Sequence, residues 1–314
     1  MTIKPIITLT LNPTIDGYAS AELIQPLRKV RTRDENYHPG GGGINVARVI
    51  EELGGTAHAL YLAGGATGTI LDELLRATGI AAQRIAISGY TRIAHTVFER
   101  SSGQEFRFVP EGPDISANEW DACLSALESL DFDYVVASGS LPRGMPASAY
   151  TRVIEIADQK RARVILDTSG PALRRTLERG VFLVKPNLRE LEELTGHALP
   201  DTAAQVSAAR DLIAADAAQI VALTLGSEGA LLVSKGEAWS AAVPPVVARS
   251  AVGAGDGFVG GVTLALTGGE PLRAALASGV AAGTAAVLSP GAGLSRREDV
   301  DRLYAELLPT ISRL

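Results

Sequence analysis

Apolar residues along the chain come in short unbroken runs rather than in strict alternation. "IITLTL" (6–11), "AHALYLA" (57–63), "DYVVAS" (133–138), "RVILDT" (163–168), "VFLVK" (181–185) and "IVALTL" (220–225) each predict a strand. Strands apolar on both faces are buried on both faces, so these runs predict a mostly parallel sheet with helices on each side. The segments 44–54, 69–78, 118–130, 147–160 and 202–216 instead repeat apolar residues every three or four positions, which predicts helices. Pro146 suits the first turn of the helix from about 147.

Two stretches break this rhythm. Residues 16–39 and 91–109 are extended and of mixed polarity, and the second carries a hairpin turn at "SSGQ". Neither fits a strand–helix–strand crossover. Together they predict a small second sheet, a lid over a site, attached to one α/β domain spanning 1–314.

Composition narrows the function classes. Of 314 residues, 46% are hydrophobic and 20% charged, enough for a core and inconsistent with global disorder. A formal net charge of −6 argues against nucleic acid or an anionic membrane as the main partner. The single cysteine, Cys123, allows no intrachain disulfide, and its helical spacing marks it as packing. No leader layout opens the chain, and no apolar run reaches ~18 residues without Gly, Pro or charge. The expectation is a cytoplasmic protein with no membrane span.

The candidate chemistry sits on glycines. "GDGFVG" (255–260) fits a dinucleotide-binding pattern, but a lone match is weak, and the preceding "VPPVVARSAV" is a poor strand. No lysine follows a glycine, so no Walker A loop exists, and the four histidines lack zinc-protease spacing. In "SAVGAGDGFVGG" (250–261) the acid Asp256 falls among glycines opening an apolar segment. That is either a helix cap or a place where backbone N–H groups meet an anion. "PGGGGINVARVIEELGG" (39–55) likewise feeds a helix, with Asn45 able to offer an amide. In "KPNLREL", Asn187 and Glu190 share a helix face, which suits a capping box or a carboxylate holding hydrated Mg²⁺ through water. "TLGSEGA" (224–230) is a strand–turn–strand able to lie under a nucleotide.

Taken together these motifs resemble the PfkB (ribokinase-like) family of sugar kinases, in order from residue 8 to about 293. The family signature D-T-x-G-A-G-D appears as "SAVGAGD", with Ser250 and Ala251 replacing Asp-Thr, and its N-x-x-E motif as Asn187–Glu190. "TLTLNPTID" (8–16) and "ASGSLPRG" (137–144) resemble the phosphosugar branch. Within it, 1-phosphofructokinases and tagatose-6-phosphate kinases typically read G-G-K-G-x-N, whereas Gly42 stands here at the lysine position. With "GGATG" following, the chain is similar to the 6-phosphofructokinases of that branch. The resemblance implies a three-layer αβα ribokinase-like fold with a β-sheet lid. It also implies ATP-dependent phosphorylation of fructose 6-phosphate at O1, with the other two phosphosugar activities as alternatives. A non-catalytic sugar- or nucleotide-binding protein on the same fold is the alternative of another class. Intact Asp256, Gly253–Gly255 and Glu190 speak against it.

The same resemblance implies residue roles. Asp256 would be the general base, with Gly253, Ala254 and Gly255 presenting N–H groups to the transferring phosphoryl. Asp16, Gly41, Gly42, Asn45 and Ser140 would hold the sugar. Arg92, helped by Lys29 or Arg31, would grip its phosphate, because guanidinium binds phosphate bidentately. Lys185, Asn187, Thr224, Gly226, Gly229, Val280 and Thr284 would bind ATP, and Glu190 would organise Mg²⁺. Ser250, Val252, Ala286, Ser289 and Gly291 would line a K⁺ site, with Ser250 standing where the family has Asp. Pairing of lids would make a homodimer.

Overall fold

A computed structural model describes residues 4–288 and 295–314. The strands in chain order are β1 Ile6–Thr10, β2 Thr14–Ala21, β3 Thr32–Gly40, β4 Ala57–Gly64, β5 Ala81–Ile87, β6 Arg92–Glu99 and β7 Gln104–Phe108. They continue with β8 Tyr134–Ser138, β9 Arg163–Asp167, β10 Val181–Val184, β11 Ala218–Thr224, β12 Ala230–Ser234, β13 Ala238–Ala241 and β14 Ser312–Arg313. The helices are α1 Gly42–Glu52, α2 Gly65–Thr78, α3 Ala117–Ser129, α4 Ala149–Lys160 and α5 Gly170–Leu177. The remainder are α6 Leu188–Thr195, α7 Thr202–Ala214, α8 Ala254–Thr267, α9 Leu272–Val287 and α10 Arg297–Leu307.

One sheet runs in the order β14-β13-β12-β11-β10-β9-β8-β1-β4-β5, parallel from β5 to β11 and antiparallel beyond. All six strands expected from the apolar runs lie in it. Their side chains feed two cores. Leu9, Val135, Leu166 and Val184 pack toward α3, α4, α5 and α7. Ile6, Val136, Ile165 and Leu183 pack toward α1, α8, α9 and α10. Each such side chain, fully buried, contributes roughly 1.5–3 kcal/mol of transfer free energy, which explains why these strands lack a polar face. Cys123 is buried in the first core, and burial pushes its thiol up to about 12.

Pro146 is a correction. Helix α4 starts at Ala149 with Ser148 as N-cap. Pro146 lies before it, and its carbonyl accepts from the Ala149 N–H at 2.9 Å. A tight turn, not the first helical turn, uses this proline.

The second sheet has the order β3-β2-β6-β7. Its β2–β6 pair is parallel, which joins the two irregular stretches of the sequence, and β6–β7 is a hairpin. No helix among the described residues is long and apolar enough to cross a membrane.

Candidate active site

Parallel strands end together, and the ends of β1, β8, β9, β10 and β11 make the floor of the site. Helix α8 comes to this floor N-terminus first. Gly253 caps it at φ 80°, a left-handed conformation that glycine adopts without strain. The first amides of a helix have no intrahelical acceptor, and those of Ala254, Gly255 and Asp256 find no backbone partner among the described residues. They form a preorganised anion cradle.

Asp256 stands in the first turn of α8, where the dipole favours a negative charge. Its Oδ2 accepts from Asn45 Nδ2 at 2.9 Å. Asn45 is oriented by Arg48, whose Nη1 donates to Asn45 Oδ1 at 3.4 Å and to the Pro39 carbonyl at 3.1 Å. Burial pushes the Asp256 carboxyl up to about 7, and the negative charge of Asp167 adds to this. Asn45 and Lys185 oppose the rise without cancelling it. A carboxylate in that range is suited to taking a proton near neutrality.

That shift has a stability consequence. The Asp256 value in the folded chain lies above the ordinary 3.8. Its protonated form therefore favours folding below pH ~4, and this contribution is lost as pH rises to about 7. Asp256→Asn, which does not titrate, should be more stable than wild type at pH 8, by roughly 1–4 kcal/mol. Urea unfolding at pH 8 and pH 4 checks this, because the gap should close at the lower pH.

On the lid side, Asp16 on β2 pairs with His38 and Ala94 and faces the cleft. Burial raises its carboxyl to about 6 against the pull of Arg107, Arg92 and Arg48. The close approach fixes a neighbour, since a side chain at Gly40 would collide with the Asp16 carboxyl. Gly41 has φ 108°, and a Cβ there would lie 2.8 Å from Thr10 Cγ2. Gly42 lies against Ser138 Oγ. Ser140 accepts from Asn12 Nδ2 at 3.2 Å at the end of β8.

Arg92 is not a free cation. It donates to the carbonyls of Asn12 at 2.7 Å, Pro110 at 2.9 Å and Pro13 at 3.4 Å, and so clasps two loops at the base of the lid. Arg107 on β7 shares its cleft-facing side, is exposed, and makes no ion pair or hydrogen bond among the described residues. Lys29 and Arg31 are not brought to this place within one chain. They lie in the exposed connection beyond the Ala21↔Thr32 pair, five residues along β2 from Asp16, or ~17 Å at strand rise.

On the other side of Asp256 a cavity of 570 Å³ opens, lined by Asn187, Thr224, Gly226, Gly229, Val280 and Thr284. Pro244, Pro245, Val246 and Phe258 make its walls apolar. Lys185 is absent from this lining. It is buried on the floor, 3.0 Å from Asp167 Oδ1 and beside Gly255. Burial alone would lower its pKa, but Asp167 outweighs that and the net shift is upward. Asp167 and Lys185 thus put a fixed ion pair under the anion cradle.

Glu190 and Asn187 form a capping box on α6. Asn187 N–H donates to Glu190 Oε2 at 2.8 Å, and Glu190 N–H to Asn187 Oδ1 at 2.9 Å. One Glu190 oxygen remains uncommitted in that box. Burial raises the Glu190 carboxyl, against the capping amide and Lys185. Ser250, Val252 and Ala286 are buried together where Val287 O accepts from the Ser250 N–H at 3.4 Å. Ser250 Oγ donates to Glu105 Oε2 of the lid at 3.0 Å. Ser289 and Gly291 lie outside the described residues.

Arg48, Arg107, Asp167 and Asn12 escaped sequence reasoning. For Asp167 a signal existed: it ends a predicted strand whose neighbour in a parallel sheet leads into Lys185. The dehydrogenase pattern at 255–260 has no supporting unit, because the strand before α8 is the antiparallel β13.

Two clefts meeting at one acid beside bare amides is the layout of a small-molecule kinase, in which donor nucleotide and acceptor hydroxyl must converge. The comparisons agree. Residues 10–299 match the pfkB family carbohydrate kinase, and the chain belongs to that family. It is 41% identical over 304 residues to the ATP-dependent 6-phosphofructokinase isozyme 2 of Mycobacterium tuberculosis, covering 96% of this chain and 89% of that protein. It is 32% identical over 307 residues to the 1-phosphofructokinase of Bacillus subtilis, covering 98% of each. The phosphofructokinase-2 of Escherichia coli, solved in complex with fructose-6-phosphate, has a TM-score of 0.92 and 36% identity over 97% of this chain and 99% of that one.

Proposed function

We propose that the protein transfers the γ-phosphoryl group of ATP to O1 of fructose 6-phosphate. The observation that carries this is the placement of Asp256 between the 570 Å³ apolar cavity and the cationic lid pocket around Asp16. ATP fills the former, with its phosphates leading to the amides of Ala254 and Gly255. The sugar fills the latter, its hydroxyls on Asp16, Asn45 and Ser140 and its phosphate on Arg107, with Arg92 holding the pocket's rim. Asp256 takes the O1 proton as O1 attacks the γ-phosphorus in line. The bond to the bridging oxygen breaks and ADP leaves. Charge spread on the transferring group is met by fixed amides and by Lys185, which costs little reorganisation at the moment of transfer.

A divalent ion fits this donor set only through water. Among the described residues no group of three or more His, Cys, Asp or Glu could cage a metal. Glu190, with one oxygen spent on the capping amide, would hold hydrated Mg²⁺ against the ATP phosphates, where the ion neutralises charge. Glu190→Gln should raise the Mg²⁺ concentration for half-maximal rate, and an unchanged Mg²⁺ titration would return Glu190 to capping alone. K⁺ would bind near Ser250, Val252 and Ala286.

The reading also includes a homodimer. The outer lid face carries the cross-strand row Tyr37, Gly17, His95 and Phe108, with Tyr37 49% and Phe108 57% exposed. Large apolar side chains in an exposed sheet face favour burial against another copy. Phe108→Glu should convert a dimer to monomer in sedimentation. An unaltered sedimentation coefficient would refute that interface.

The deciding experiment is a panel of ATP-coupled assays on fructose 6-phosphate, fructose 1-phosphate, tagatose 6-phosphate and free sugars. A higher kcat/KM for any sugar other than fructose 6-phosphate overturns the substrate assignment. No turnover of any would favour a non-catalytic binding protein.

A further inference from the structure

A second large cavity lies at the other end of the sheet. It has a volume of 880 Å³ and lies where β9, β10 and β11 begin, whereas those strands end at Asp167, at Val184 just before Lys185, and at Thr224. The sheet therefore separates it from the catalytic cleft. Arg163, Arg179, Arg210 and Lys235 line it, opposed by Asp158 and Asp216. The four cations come from the start of β9, the turn after α5, helix α7 and the β12–β13 turn, so converging on one cleft is a property of the fold.

Their surroundings are unusual for a chain with a formal net charge of −6. Elsewhere several arginines beside acids are paired, as in Arg84–Asp72 and Arg100–Asp34. Among the described residues Arg179, Arg210 and Lys235 make no ion pair and no side-chain hydrogen bond, and neither acid in the cleft takes one up. Arg163 is held rigid. Its guanidinium lies over the rings of Phe182, at 4.6 Å, and Tyr134, at 5.5 Å, and donates to Tyr134 Oη at 2.6 Å. A planar cation fixed in this way is preorganised for a phosphate oxygen pair. Ile154, Ile213 and Phe182 add apolar wall, room for the carbon body of a metabolite as well as its charges.

We propose that this cleft is a second ligand site, separate from the catalytic one, for a small metabolite bearing two or more phosphate groups. Four cations against two acids, with no ion pair formed among them, leave an excess of positive charge that repels itself, and a multivalent anion relieves that repulsion in a way a single phosphate cannot.

Calorimetric titration of the full chain at low salt, with inorganic phosphate, tripolyphosphate and citrate as probes, tests it. The triple variant Arg179→Ala/Arg210→Ala/Lys235→Ala removes exposed side chains only, and it should keep the wild-type thermal midpoint and kcat. Lys235→Ala alone guards against loss of fold. Tripolyphosphate also meets the catalytic cations, so Arg107→Ala is titrated alongside. The expected result is a tripolyphosphate site present in wild type and in Arg107→Ala, weakened at least ~10-fold in the triple variant and weakened in part by Lys235→Ala. It should also weaken as salt is raised, as exposed charge pairing requires. Equal affinity and stoichiometry in wild type and triple variant overturns the site. So does binding abolished by Arg107→Ala alone. Citrate binding more tightly than tripolyphosphate overturns the phosphate assignment. Each readout is of binding, so the result stands apart from which sugar the catalytic cleft phosphorylates.

Discussion

Asp256→Asn is expected to lower kcat by ~10²–10⁴-fold, the range for removing a positioned general base. The substitution keeps the size of the side chain. The cradle of bare amides at Ala254 and Gly255 and the Lys185–Asp167 pair at 3.0 Å remain in place. KM for both substrates should therefore change little. Because burial holds the wild-type carboxyl up to about 7, kcat/KM should fall as pH drops through that region. The residual activity of Asp256→Asn should lose this limb. Steady-state kinetics from pH 5.5 to 8.5, set by those expected values, tests both statements. Near wild-type kcat in the variant would remove Asp256 from the base role.

Arg107→Ala is expected to raise KM for fructose 6-phosphate ~10–100-fold, the worth of one charge-assisted contact to a phosphate. KM for ATP should stay nearly constant, because the apolar cavity lies across Asp256 from the lid. Fructose lacking its phosphate should be a poor substrate for wild type, and Arg107→Ala should barely alter that activity. Arg92→Ala gives a contrast that only the structure suggests. Its guanidinium ties the carbonyls of Asn12, Pro13 and Pro110, so its loss should lower the thermal midpoint as well as weaken sugar binding. Arg107, with no such partners among the described residues, should leave the midpoint unchanged. Equal loss on fructose and fructose 6-phosphate in Arg107→Ala would show that Arg107 does not grip the phosphate.

Much of this architecture was legible because it is written locally. A strand buried on both faces has to be apolar at successive positions, and "DYVVAS", "RVILDT" and "IVALTL" are. An amphipathic helix has to repeat every three or four residues, and 118–130 and 202–216 do. Other elements carry no such mark. β5 is a sheet-edge strand, "AAQRIAI", exposed at most positions. Helix α9 is buried along nearly its whole length in Ala and Gly, so it has no polar face to reveal a period. β13 is a four-residue antiparallel addition beyond β12.

The sequence by itself determined where the backbone is left bare and where an acid begins a helix. Those are properties of a few adjacent residues: Gly253 with its left-handed φ, and Asp256 in the first turn after it. It also determined the alternation of six buried strands with amphipathic helices, from which the layers follow. Tertiary structure alone decided which charges meet. Asn45 and Asp256 are 211 positions apart, and Ser250 and Glu105 are 145 apart, yet each pair is hydrogen-bonded. Asp167 reaches Lys185 through the register of two parallel strands. Lys29 and Arg31 look like Arg92 in sequence but sit beyond the end of the lid, while Arg107 arrives through a hairpin. Charge acts through distances of a few ångströms and falls under solvent screening beyond them. Spacing along the chain does not encode those distances; strand pairing and helix packing set them.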